Sequence, residues 1–397
     1  MHTVKSELKS VIVYEIEHVF GRRVVSSRDC IDLSDEIYIK TQQQLNPNTL
    51  RRFFSLVKAD YPPSQATLNI LSKYCGFQSI DDIYRVKNTE SIDEGSVNPE
   101  NIMRFLVSIF RNTEVKDNYD HTFLNVIMQT IKFLNANKFL TDRFQSLIAK
   151  TENGNNFYFE QLVNVDKLNS FYGNGLRYYL QEKGTADAEV FTASLNVLKY
   201  WLSGEDQKLI KCAIGLNNPD AVAKMHPYTV ARQFAALLFT GYVAQSDSEV
   251  VRITIHNYYE EIASAPVNRK FLRNFTCIVS EALLMTRHDA EALYYLRETK
   301  KYGVGALIED PLLNYTQSFN LIEAFALYNL GENKKAEKKF NEIKSSEFPF
   351  LNKRLCCILY ILLLKKIKAR EKDLRYEDQL QALVKETGFK RLLVILQ

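Results

Sequence analysis

Six residues grouped around one short turn carry the side chains best suited to recognition chemistry: Gln43, Asn46, Asn48, Thr49, Arg51 and Arg52. Amides and hydroxyls donate to and accept from phosphate oxygens and base edges, and a guanidinium pairs with guanine or phosphate. No comparable grouping points to catalysis. The histidines (His2, His18, His121, His226, His256 and His288) are scattered, with no HExxH and no His/Cys/Asp cluster at metal spacing. There is no GxSxG. Gly173-Asn174-Gly175 and Gly303-Val304-Gly305 lack the further glycine and the Lys-Ser/Thr of a phosphate loop, and read as turns between helices. The chain reads as no enzyme, with no metal and no cofactor.

A second set is aromatic. Paired rings recur on expected helices, including Tyr178-Tyr179, Tyr200-Trp201, Tyr258-Tyr259 and Tyr294-Tyr295. Adjacent helical residues point about 100° apart, so one ring of each pair can be core while the other lines a groove. Tyr178, Tyr200, Tyr258 and Tyr294 are the groove candidates, for a peptide on a concave surface. Plain packing between helices is the competing reading.

The elements that position these residues follow from composition. Gly (14) and Pro (9) are scarce over 397 residues, which favours a mostly helical chain with more than one core. Apolar content of 46% and charged content of 25% belong to a globular chain. A net charge of +4 excludes a polyanion-coated surface, so nucleic-acid contact requires a local patch. Around the turn, Arg22, Arg23, Arg28, Arg51, Arg52 and Lys58 are offset by Asp29, Asp32, Asp35, Glu36 and Asp60. Six dispersed cysteines without a CxxC pair fit a reducing compartment, and Cys356-Cys357 sit in an apolar run as small hydrophobes. That run, Leu355 to Leu364, is half of the roughly twenty residues a membrane span needs. With no apolar signal core at the start, the expectation is a cytoplasmic protein that does not engage a membrane.

Leu8, Val11, Ile12, Ile16 and Val19 mark a first helix, with Gly21 as its C-cap. Asp32 or Ser34 is expected to cap a second, running to about Gln43. Asn46 caps the third, with Pro47 in its first turn and Leu50, Phe53, Phe54 and Val57 inward. A fourth turns Leu68, Leu71 and Tyr74 inward and ends at Gly76, and a fifth starts at Ser79. These make a unit over residues 1–87, and the polar stretch 88–98 reads as a linker. Over 99–397 amphipathic segments recur, among them 156–170, 172–183, 186–203, 227–243, 268–286 and 288–302. Short turns between them suit a solenoid whose repeats touch mainly their neighbours.

Residues 320–350 resemble a tetratricopeptide (TPR) repeat, with Ala324 and Leu327, then Gly331, Ala336, Phe340 and Pro349. Residues 277–302, with Ser280, Leu283, Ala292 and Leu296, are a weaker copy. Ala292 and Ala336 are 44 residues apart, longer than the 34-residue TPR period, so the array is irregular. The basic residues from Lys334 to Arg391 read as solvated helix faces, or as a patch for an acidic partner or phosphate.

From Ser34 to Asp82 the chain resembles the phage-repressor-type (Cro-like) helix-turn-helix fold. Pro63-Ser64, Thr67-Leu68, Leu71-Ser72, Tyr74 and Gly76-Phe77 match its packing helix, and Leu45-Asn46-Pro47-Asn48-Thr49-Leu50 stand at the turn and recognition-helix start. The first motif helix departs, with three glutamines where the family has Ala-x-x-x-Gly. The resemblance implies that Asn48 and Thr49 touch phosphate or base edges, that Arg51 or Arg52 pairs with guanine or phosphate, and that Gln42 to Gln44 contact the backbone. With the TPR-like array it resembles the peptide-responsive bacterial regulators. That implies DNA and a signal peptide or protein as partners, with a homodimer if two half-sites are read. The expectation is an all-α protein, a helix-turn-helix unit joined to a TPR-like α-solenoid, acting as a DNA-binding regulator. The alternative is an interaction scaffold whose N-terminal unit does not bind DNA.

Overall fold

The computed structural model describes residues 9, 12, 13, 15–17, 19–58, 63–77, 99–115, 120–216, 225–265, 269–301, 315–368 and 374–395. Among them it is 79% helical with no strands, so the chain is all-α. The expected fifth helix at Ser79, the linker 88–98 and the Gly303-Val304-Gly305 turn lie outside these residues. The chain divides into two compact units, residues 1–102 and 103–397. No helix among the described residues is long and apolar enough to cross a membrane.

In the first unit, helices α1 (Ser27–Thr41), α2 (Pro47–Phe53) and α3 (Gln65–Tyr74) follow a helical stretch that carries Ile12 and Ile16. Those two join Val24, Cys30, Leu33, Ile37, Leu45, Leu50, Phe53, Leu71 and Tyr74 in one buried core. Helix α1 starts about two turns before the expected Asp32 or Ser34. The reason is a capping box: Ser26 Oγ accepts from the Asp29 backbone N–H, and Asp29 Oδ2 accepts from the Ser26 N–H. Ser34 lies instead in mid-helix, buried, and its hydroxyl donates to the Leu45 carbonyl at 2.5 Å. That bond ties the turn to α1. Ser34→Ala leaves the Leu45 carbonyl without this donor at a cost of about 1–2 kcal/mol. Amide exchange at residues 27–53 is expected to quicken about tenfold.

In the second unit, α4 (Pro99–Asn112) runs across the boundary, followed by α5 (His121–Ala136) and α6 (Lys138–Ile148). The expected 156–170 helix is replaced by a π-helical segment, Gly154–Gln161, and a 3-10 turn, Val165–Lys167. The cause is aromatic packing. Phe157, Tyr158 and Phe159 are all buried, facing Phe123, Phe144 and Tyr179 respectively, and the Leu162 N–H reaches back to the Phe157 carbonyl.

Then come α7 (Phe171–Lys183), α8 (Ala186–Ser203), α9 (Asp206–Ala213), α10 (Pro227–Ala244) and α11 (Glu249–Ser264). Gly173 and Gly175 lie inside α7 rather than in a turn. Here a Cβ would meet the Leu168 carbonyl oxygen at 1.9 Å, or the Gln145 side chain at 2.5 Å, so the glycines permit close approach.

Two helical hairpins follow: α12 (Arg269–Met285) with α13 (Asp289–Lys301), and α14 (Thr316–Asn329) with α15 (Asn333–Asn341). Ser280, Leu283, Ala292, Leu296, Ala324, Leu327, Ala336 and Phe340 are all buried in them. Helices α16 (Lys353–Ile367), α17 (Leu374–Thr387) and α18 (Leu392–Ile395) complete the chain.

Packing is not confined to sequence neighbours, as a simple solenoid would have it. Asp166 accepts from the backbone N–H groups of Arg354 and Leu355, at 2.8 and 3.1 Å. Asn169 donates to the Thr387 carbonyl, and Arg391 donates to the Trp201 carbonyl at 2.7 Å and pairs with Asp206. The last helices thereby return to residues 165–206.

Candidate nucleic-acid interface and a polar cleft

Helix α2 presents most of the recognition residues. Asn46 caps it, its Oδ1 accepting from the Asn48 N–H at 2.8 Å, and Pro47 needs no partner at the first position. Leu50 and Phe53 anchor the helix in the core, which turns Asn48 and Arg52 to solvent and leaves Thr49 half-buried. Arg52 makes no hydrogen bond or ion pair among the described residues. Arg51 is partly withdrawn: Nη1 donates to Asn48 Oδ1 at 2.8 Å, and its Nε is buried without a partner. Gln43 lies in the turn with a buried, unpartnered Oε1, and its N–H is held by Thr41 Oγ1. Arg22 engages Asp29 and Asp32 at 3.2 and 2.5 Å, so both acids are neutralised locally. Of the six residues, Asn46, Asn48 and Arg52 are exposed together.

The four tyrosines are held apart. Tyr178 donates to Asp142 at 2.9 Å and accepts from Arg177. Tyr200 lies beneath Lys199 and Lys208, Tyr258 packs on Phe234 and Phe275, and Tyr294 on Tyr259 and Tyr295. Among the described residues no ring contact joins any two of the four.

The convergent polar groups lie elsewhere, in a narrow cleft of the second unit. Asn274, Cys277, Ile278 and Glu281 on α12 recur at i, i+3, i+4 and i+7 and form one wall. Tyr228 and Arg232, one turn apart on α10, form another, and Asn352 closes it from the start of α16. Burial pushes the Glu281 carboxyl up to about 7, against the pull of the nearby Arg232 guanidinium. Asn274 donates to the Tyr228 hydroxyl at 2.5 Å. Asn352 is 7% exposed, and its Oδ1 has no partner.

No protein-family model, curated protein or solved structure matches this chain. Its own residues therefore carry the functional argument.

Neither Arg232 nor Glu281 was singled out by sequence. The available signal was Asn274 and Glu281, which fall on one face of α12 at i and i+7. All six cysteines are free thiols, and Cys356 is buried as expected of a small hydrophobe. Among the C-terminal lysines, Lys335, Lys339 and Lys365 pair with Glu332, Glu342 and Glu377, as solvated helix faces do.

Proposed function

We propose that the chain is a DNA-binding transcriptional regulator whose second unit, a TPR-like helical array, binds a signal peptide or protein partner. The observation that carries the reading is α2. It is a short helix anchored by Leu50 and Phe53, entered through a capped turn, with Asn46, Asn48 and Arg52 exposed side by side. A helix-turn-helix offers such donors from the start of its recognition helix to the major groove. The Ser34–Leu45 bond supports it by fixing the turn against the preceding helix. The buried small residues of the α12–α13 and α14–α15 hairpins support the TPR-like reading of the array.

A second reading, a protein-interaction scaffold without DNA contact, is favoured by the exposed apolar residues of the same unit. Val25 and Ile39 are 70% and 73% exposed, and Ile31, Tyr38 and Val57 are also open to solvent. Capture of genomic fragments from the source cell separates the two. The regulator reading predicts enrichment of a few discrete fragments by the native chain, lost in Arg51→Ala/Arg52→Ala. No enrichment by either form assigns the chain to the scaffold reading.

A further inference from the structure

The cleft of the second unit holds a guanidinium and a carboxyl that do not bond to each other. Arg232 and Glu281 both line it and interact through space, yet neither makes a hydrogen bond or ion pair among the described residues. A third group, Asn352 Oδ1, is a buried acceptor without a donor. A buried acceptor without a donor is costly in a folded chain, and water, an ion or a ligand can complete it. The other acid at the cleft is already satisfied, since Glu160 takes the Tyr179 hydroxyl at 2.7 Å and the Lys183 ammonium. Asn274 is likewise committed to Tyr228. The unmet set is therefore one cation, one carboxyl and one neutral acceptor.

That set selects a ligand by charge. A simple anion would suit Arg232 and leave Glu281 unmet, and a simple cation would do the reverse. A molecule carrying both a carboxylate and an ammonium satisfies all three groups. The carboxylate takes the paired donors of the guanidinium, and the ammonium donates to Glu281 and to Asn352 Oδ1. The remaining wall is apolar, from Val163, Val165, Ile278 and Leu351. We propose that the cleft bounded by Arg232, Glu281 and Asn352 binds a free α-amino acid with an apolar side chain. The site lies wholly within the second unit and stands whether or not the first unit reads DNA.

Calorimetric titration of the full chain with leucine, N-acetyl-leucine and leucine amide tests the proposal. Leucine is expected to bind saturably at millimolar concentration or below. N-acetyl-leucine, without its ammonium, and leucine amide, without its carboxylate, should each bind at least tenfold more weakly. Arg232→Gln and Glu281→Gln should each weaken leucine by a similar factor, with the emission of the single tryptophan, Trp201, confirming that the unit remains folded. If either variant fails to fold, the two leucine analogues still decide the question on the native chain. Equal binding of leucine and N-acetyl-leucine, or no binding of leucine, valine, isoleucine, methionine or phenylalanine, overturns it.

Discussion

Trp201→Ala is expected to destabilise the second unit by about 3–5 kcal/mol, the range for removing a large buried aromatic side chain. The indole is fully buried on α8, its ring centroid 4.5 Å from that of Phe239 on α10. The Arg391 guanidinium lies over the ring, 5.5 Å from its centroid, while its Nε–H bonds the Trp201 carbonyl. The ring thus links α8, α10 and the returning C-terminus, and its removal opens a cavity among all three. Far-UV circular dichroism should show the melting midpoint falling by about 6–20 °C, at roughly 2–4 °C per kcal/mol for a large unit. Trp201→Phe is the control. The indole Nε1 has no hydrogen-bond partner, so phenylalanine forfeits volume but no hydrogen bond and should cost less than half as much. A small effect from the alanine variant would contradict the packing described.

Asp166→Ala is the second substitution with a large expected effect. Its carboxylate caps α16 from 188 residues away, taking the N–H groups of Arg354 and Leu355. Alanine leaves both donors without an acceptor at a buried helix start, at about 1–3 kcal/mol for each group, partly offset because a desolvated carboxylate is also removed. The net expectation is a loss of about 2–3 kcal/mol, read as a lower urea midpoint from Trp201 emission. Asp166→Asn keeps one acceptor and does not ionise. Burial pushes the Asp166 carboxyl up from 3.8 to about 6, outweighing the two N–H bonds and the charge of Arg354. A raised carboxyl means that the folded chain holds the proton more tightly than the unfolded one. Its contribution to stability is complete below 3.8 and is lost as the pH rises through about 6. The cost of Asp166→Asn should therefore be largest in acid and shrink across that window. A cost independent of pH would contradict the burial of this group.

How far the sequence reveals the fold depends on how local the determining interaction is. Helix α8 is legible to the residue, since Thr185 caps its start and Gly204 closes its end in the left-handed region. Asn46 and Pro47 specify the start of α2, but the helix ends at Phe53, so Val57, expected to face inward, lies beyond it and is exposed. The start of α1 was legible too, in Ser26 and Asp29 three residues apart, but the later Asp32 and Ser34 offered equally plausible caps. The π-helical segment is different. Nothing between Gly154 and Gln161 breaks a helix except the demand of three consecutive aromatics for burial, and their partners come from α5, α6 and α7. The polar cleft lies at the far end of this scale. The face of α12 can be drawn from its i, i+3, i+4, i+7 spacing, but Arg232 and Asn352 arrive from opposite sides of it in sequence. The return of Arg391 to Trp201 depends on tertiary packing that no local pattern encodes.

The central claim is that α2 reads DNA, and salt dependence tests it most directly. Fluorescence anisotropy of a labelled duplex, taken from the fragments the chain enriches or from mixed genomic DNA, would be measured across a range of salt. Binding through phosphate contacts predicts an affinity that falls linearly on a log–log plot, with a slope set by the number of phosphates neutralised. In Arg51→Ala/Arg52→Ala the affinity should drop at least tenfold and the slope flatten by about one to two units. No salt-sensitive binding to any duplex, or an identical slope in the native chain and the variant, would contradict the account.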